Sequence, residues 1–258
     1  MDAAPPNTRL STLSMPEIDS GLSPLVFIHG WGCDRSFLAP QHRHFAATRT
    51  CLSVDLPGHG DGPANHDDYG IPALARYVAD ICIREGMEAP VLIGHSLGGS
   101  VALECAANAC SGAKASVMVD TYLFPPSNDA ERSEGAEAIA AYGIEAVLPD
   151  LHAMLMAPED DDTVWDRFAA SISATDCAVL ASCLRGLHAY NPDAALRDGP
   201  PSAYIAAERI VVDEARLTLL QPGVRIGRVR GAGHFAPLLV PEQVNAMLAG
   251  FLAQLERA

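Results

Sequence analysis

The chain has 258 residues, about half of them apolar and a fifth charged, with a formal net charge of −15 and Lys114 as its only lysine. That composition suits a folded chain with a sizeable core and excludes a disordered one. An acidic balance also opposes nucleic-acid and anionic membrane surfaces, which call for a cationic face, and fits a small apolar or weakly charged substrate better.

The opening segment, "MDAAPPNTRLSTLSMPEIDSG", lacks the cationic and apolar regions of a signal peptide, and no apolar run is long enough to span a bilayer. A cytoplasmic protein with no membrane partner is expected. The seven cysteines are odd in number and show no CxxC pairing, so neither a disulfide framework nor a metal site is expected.

Six strand-like runs follow in order: "PLVFIHG" (24–30), "TCLSVDLPGHG" (50–60), "APVLIGHS" (89–96), "ASVMVDTY" (115–122), "SAYIAAE" (202–208) and "VRIGRVRGAGH" (224–234). Each carries aliphatic or β-branched residues and ends in a turn signal. Helix-like stretches lie between and after them, at about 36–47, 72–86, 98–110, 209–221 and 241–256. Near-continuous apolar strands alternating with helices predict an α/β fold with a mostly parallel sheet covered on both faces. The alternation breaks at residues 124–200, an acid-rich segment that reads as helices only. The expected organisation is therefore a core of residues 1–123 and 201–258 with a helical cap at 124–200.

In such a sheet, chemistry gathers at the carboxyl ends of the strands. His29, Ser96, Asp120 and His234 all fall at or just past those ends. Ser96 sits in Gly94-His95-Ser96-Leu97-Gly98, between a strand and a helix. This is the context in which G-x-S-x-G presents a nucleophile on a strained turn at the positive end of a helix. A serine hydroxyl needs a base. His234, in the Gly-rich "GAGHFAP" late in the chain, is the best placed of nine histidines, and His95 fills the variable place of the serine motif. The backbone amides of Leu97 and Trp31 are the natural donors to a developing oxyanion.

The motifs "HGWG", "DLPGHG", "GHSLGG" and "GAGHF", in this order, resemble those of the α/β-hydrolase superfamily over nearly the whole chain. The resemblance implies an eight-stranded, mostly parallel sheet flanked by helices, a helical cap, and a Ser-His-acid triad without metal or cofactor. Most relatives carry the acid in the turn after the strand that is "SAYIAAE" here, but this chain has Ile210 where that aspartate is expected. Three candidates remain: Asp120 at the strand end after the nucleophile helix, Glu208 near the usual turn, and Asp213 further along. Asp120 is preferred because a neighbouring strand end can reach the imidazole Nδ1.

Candidate pocket residues are His29, Cys33, Tyr122, Phe124, Met154, Met156, Trp165, His188 and Phe235. The leading expectation is hydrolysis of a small carboxylic ester or lactone through an acyl-enzyme on Ser96. "HGWGCDRSF" with "VMVDTYLFPP" is also similar to cofactor-independent dioxygenases that cleave N-heteroaromatic rings, in which a His-Asp pair deprotonates the substrate; that chemistry is the alternative. A hydrolase-fold protein that only binds a ligand or partner is the third. Oligomeric state leaves no mark on the sequence.

Overall fold

The computed structural model describes residues 12–14, 21–64, 66–124, 129–210 and 212–257. Seven strands form one sheet: β1 (Thr12–Ser14), β2 (Leu25–Ile28), β3 (Cys51–Val54), β4 (Val91–His95), β5 (Ala115–Val119), β6 (Ser202–Ala206) and β7 (Arg225–Arg228). Their spatial order is β1-β3-β2-β4-β5-β6-β7, and only the β1–β3 pairing is antiparallel. The expected eight-stranded sheet is thus seven-stranded among the described residues, and the six strand-like runs account for β2 to β7.

Strands β2 to β6 are buried at every position, as a parallel sheet sandwiched between helices requires. Alternation along β2 sends Leu25 and Phe27 to one face and Val26 and Ile28 to the other. The first face is covered by α1 (Ala39–Phe45) and α11 (Pro241–Leu255). The α11 stripe Val244, Leu248, Phe251 and Leu252 follows the helical repeat. On the second face lie α2 (Ile71–Arg84), with Leu74, Val78 and Ile81 inward, and α3 (Leu97–Glu104). Each fully buried Leu, Ile or Phe contributes about 1.5–3 kcal/mol. The expected helix over 98–110 is α3 continued by a π-helical turn, Cys105–Ala109, which ends with Cys110 N–H bonded to Cys105 O. All seven cysteines are free thiols.

Between β5 and β6 run α4 (Asp129–Tyr142), α5 (Leu148–Leu155), α6 (Asp162–Ser173), α7 (Cys177–Ala189) and α8 (Asp193–Asp198), with no strand among the described residues of that segment. Ala136, Ile139, Phe168, Ile172, Leu180 and Ala181 of α4, α6 and α7 pack with Cys33, Phe37 and Phe235, which lie beyond the carboxyl ends of the strands. The helical insertion therefore roofs the strand ends where the polar candidates gather. Helix α8 packs differently: Ala195 and Leu196 join Met118 and Tyr204 of the sheet. The remaining helices, α9 (Glu214–Leu220) and α10 (Ala236–Leu239), flank β7 in the chain. Among the described residues, no single helix is long and apolar enough to cross a membrane.

Candidate active site

The residue between β4 and α3 is Ser96, and its backbone sits at φ 54°, ψ −122°. Non-glycine residues rarely occupy positive φ, and such strain persists only where the surroundings hold it. Here Ser96 N–H donates to Val119 O at 2.9 Å, so the sheet ladder holds the serine in place. The elbow also needs close approach of strand and helix: a Cβ on Gly94 would fall 1.9 Å from Gly98 O. The helix begins at once with Leu97, whose amide, as the first of a helix, has no residue one turn behind it to accept.

A second positive-φ residue, Asp120 (φ 44°), ends β5 in the same manner, with its amide bonded to Ile205 O of β6 at 2.8 Å. Its carboxylate is fully buried and serves two donors: Oδ1 accepts Ala207 N–H at 2.9 Å and Oδ2 meets His234 Nδ1 at 2.7 Å. A carboxylate oxygen can only accept here, so Nδ1 is the donor and Nε2 is the ring nitrogen left for another partner. Residues 114 positions apart are joined in this way. The other two acid candidates face elsewhere. Glu208 Oε1 accepts Gly231 N–H at 2.8 Å, and Asp213 caps α9 by accepting Arg216 N–H at 2.9 Å.

His234 is fixed by its backbone as well. Its carbonyl accepts a bond from His95 Nε2 at 2.8 Å, and the two rings lie 4.6 Å apart. That bond places the His95 proton on Nε2, and burial, with the His234 ring beside it, pushes its pKa well down, so His95 stays neutral. The sequence gives His95 no role because a residue inside the elbow faces a partner 139 positions away.

Trp31 is the second residue of the turn Gly30–Cys33, closed by Cys33 N–H to Gly30 O at 3.2 Å. This turn abuts the elbow: a Cβ on Gly30 would lie 3.1 Å from Ser96 Cβ. The Trp31 indole N–H donates to Leu180 O of α7 at 3.0 Å and ties the turn to the insertion.

Ser96, His95, Trp31 and His234 open onto one cavity of about 340 Å³, near the lower end of the usual range for small-molecule sites. Of the expected pocket residues, Cys33, Tyr122, Met154, His188 and Phe235 line it. The other four do not. His29 is fully buried beneath the site, where its Nε2 accepts Leu56 N–H at 3.0 Å and its Nδ1–H donates to Gly30 O at 2.7 Å. Burial lowers its pKa to about 4. Phe124 lies under the Arg216 guanidinium, 4.4 Å from its ring centroid. Met156 is packed into the insertion core, and Trp165 meets the His152 ring edge-on and the Phe168 ring at a tilt. Most of the remaining wall is aliphatic, from Ile139, Val147, Leu151, Leu155, Leu184 and Leu187 on α4, α5, α7 and the α4–α5 connection. These residues carry no local motif, since core and lining positions on an amphipathic helix look alike. Cys33 is a buried thiol whose pKa burial raises, which makes it a wall group rather than a nucleophile.

Residues 25–247 match the family model described as the alpha/beta hydrolase family. The chain belongs to that family. Among curated proteins, it is 30% identical over 235 residues to the dihydrolipoyllysine-residue acetyltransferase component of the acetoin cleaving system of Cupriavidus necator, covering 88% of this chain but 63% of that protein. The chain therefore spans less than two thirds of that relative's length. It is 27% identical over 250 residues to the pimeloyl-[acyl-carrier protein] methyl ester esterase of Stenotrophomonas maltophilia, covering 91% of this chain and 94% of that one. Among solved structures, the enol-lactonase from Burkholderia xenovorans LB400 superposes with a TM-score of 0.81 at 18% identity, over 94% of this chain and 96% of that one. That last likeness concerns the fold.

Proposed function

We propose that this alpha/beta hydrolase cleaves a small carboxylic ester or lactone through an acyl-enzyme on Ser96. The observation that carries the reading is the buried Asp120–His234 pair, 2.7 Å apart, whose histidine lines the same apolar cavity as the strained Ser96. With Nδ1–H held by Asp120, His234 offers Nε2 to the serine hydroxyl. His234 takes that proton as Ser96 Oγ bonds to the substrate carbonyl carbon. The carbonyl π electrons move to oxygen, and the amides of Trp31 and Leu97 donate to the oxyanion. When the tetrahedral intermediate collapses, the C–O bond to the alcohol breaks and His234 returns the proton to the leaving oxygen. Water, deprotonated by His234, then attacks the acyl carbon and frees Ser96 and the acid. In a lactone the alcohol and the acid remain one molecule.

The aliphatic wall favours an apolar acyl or alcohol group, and residues 124–200 serve as the cap that shields the acyl-enzyme. Esters and lactones are also the substrates named for the esterase and lactonase among its relatives and fold neighbours. The test pairs hydrolysis of 4-nitrophenyl butyrate with intact mass after a fluorophosphonate. Wild type is expected to hydrolyse the ester and take one label, and Ser96→Ala to lose both. Hydrolysis that survives Ser96→Ala, or folded wild type that takes no label, would overturn the reading.

A further inference from the structure

The loop that carries His234 has an unusual set of partners. After β7 the ladder continues as Val229 N–H to Ala206 O at 2.9 Å, and Gly231 N–H is taken by Glu208 Oε1. The next amides turn away from the sheet. Gly233 N–H donates to both oxygens of Asp160, at 3.0 and 3.1 Å, and His234 N–H donates to Leu155 O at 2.8 Å. Both acceptors belong to the helical insertion, at the end of α5 and in the α5–α6 connection. Asp160 also closes its own turn by accepting Ala157 N–H at 2.7 Å. The fit is close: a Cβ at Gly233 would fall 2.4 Å from Asp160 Oδ2 and 2.6 Å from Leu155 O.

The same helix end is gripped from a third side. Arg209 donates to Ala153 O and, at 3.3 Å, to Met154 O. With the His234 amide on Leu155 O, three successive carbonyls of the α5 carboxyl end, groups a helix leaves unpaired, find partners on the two loops beyond β6 and β7. The turn Ala207–Ile210, which lacks the aspartate expected there, holds the insertion instead.

We infer that Asp160 is a positioning residue for the base His234 and that the contacts of Asp160 and Arg209 form a clasp coupling seating of the insertion to alignment of the imidazole. The inference rests on the reading of His234 as the base. One side of the His234 backbone is held by the core, through His95 and its carbonyl, and the other by the insertion, through Leu155 and, one residue earlier, Asp160. With the insertion lifted, the Gly233 and His234 amides lose their acceptors and the loop is free to shift. A displacement of about 1 Å in a proton-transfer geometry costs on the order of 100-fold in rate.

The experiment compares full-length wild type, Asp160→Ala, Asp160→Asn and Asp161→Ala. Asp161→Ala removes the neighbouring cap of α6, a bond to Thr163 N–H, without touching the loop. Asp160→Ala is expected to lower kcat for 4-nitrophenyl butyrate by about 10- to 100-fold, with KM within about twofold of wild type. Fluorophosphonate labelling of Ser96 is expected to slow in proportion. Asp160→Asn keeps an acceptor oxygen and should recover most of the loss, while Asp161→Ala should keep wild-type kcat whatever its melting temperature. A readout independent of turnover is the downfield proton resonance of the His234–Asp120 hydrogen bond, expected to broaden or shift in Asp160→Ala alone. If Asp160→Ala melts below assay temperature, Arg209→Met, which removes the other half of the clasp, is read by the same criteria. Wild-type kcat and an unmoved resonance in the folded variant would overturn the clasp. Inactive, unlabelled wild type would instead count against the hydrolase reading, and the resonance would still decide the clasp.

Discussion

Asp120→Asn keeps the size of the side chain and changes only what its second polar atom can do. In the native site Oδ1 accepts Ala207 N–H at 2.9 Å and Oδ2 accepts His234 Nδ1–H at 2.7 Å. A carboxylate satisfies two donors, whereas an amide has one acceptor oxygen and one donor NH2. The Ala207 amide is a donor fixed beyond the end of β6, so the asparagine oxygen must stay with it. The opposite flip would set two donors against each other and leave a buried amide unpaired, at a cost of about 1–3 kcal/mol. The NH2 therefore faces His234 Nδ1, which must become an acceptor, and the imidazole proton moves to Nε2. A protonated Nε2 cannot take the serine proton. This tautomer change lowers kcat about 10⁴-fold in serine proteases, or about 5.5 kcal/mol of transition-state stabilisation. The expected result with 4-nitrophenyl butyrate at neutral pH is a fall of that size, with KM little changed and circular dichroism as in wild type. Glu208→Gln should retain kcat, because Oε1 then still accepts from Gly231. A folded Asp120→Asn enzyme that keeps a tenth or more of kcat, on the order of three decades above expectation, would refute the assignment of the acid.

Two further outcomes follow from the packing around the elbow. At Gly99 an added Cβ would lie 1.8 Å from Thr121 Oγ1, so Gly99→Ala must push α3 off the end of β5. Overpacking of this kind costs about 1–3 kcal/mol, and calorimetry should show Tm lower by several degrees, partly restored by adding Thr121→Ala; a wild-type melt would contradict the close approach. His29 and His59 are buried and neutral, with pKa values lowered to about 4 chiefly by burial. In the unfolded chain each takes a proton near pH 6.5 that the native state refuses. Stability is therefore full above about pH 6.5 and falls as the pH drops towards 4, by about 3 kcal/mol for each ring over that interval. Urea midpoints at pH 7 and 4.5 read the loss, and NMR titration isolates it. Either ring charging between pH 6 and 7 in the native state would defeat the argument.

The elbow is written in a few adjacent residues: an aliphatic strand, glycines two places either side of Ser96, and a helix that follows at once. The strand ends just before 29, 96 and 120 are legible for the same reason, since a strand's length and apolar period are properties of a single segment, whereas the run expected to continue to 234 stops as a strand at Arg228 and His234 stands on the loop beyond it. The motif order identifies the superfamily without any long-range contact. Even the vacant acid position can be read, because Ile210 stands in a known turn. The choice of Asp120 over Glu208 and Asp213 can be argued from strand order but not measured, because it depends on β5 and β6 lying side by side and on Ala207 anchoring one oxygen.

What the sequence by itself determined is local: backbone strain at Ser96, the Gly-rich turn before His234, the strand periods and the helical character of the described residues between β5 and β6. Only the tertiary structure decided which of the helical residues line the cavity, that His29 braces the floor instead, and that His95 and Asp160 hold the His234 loop from opposite sides. The physical reason is range. Short-range sterics and hydrogen bonds fix a turn from its own residues, whereas a 2.7 Å bond across 114 residues exists only once the sheet, the helices and the insertion have packed.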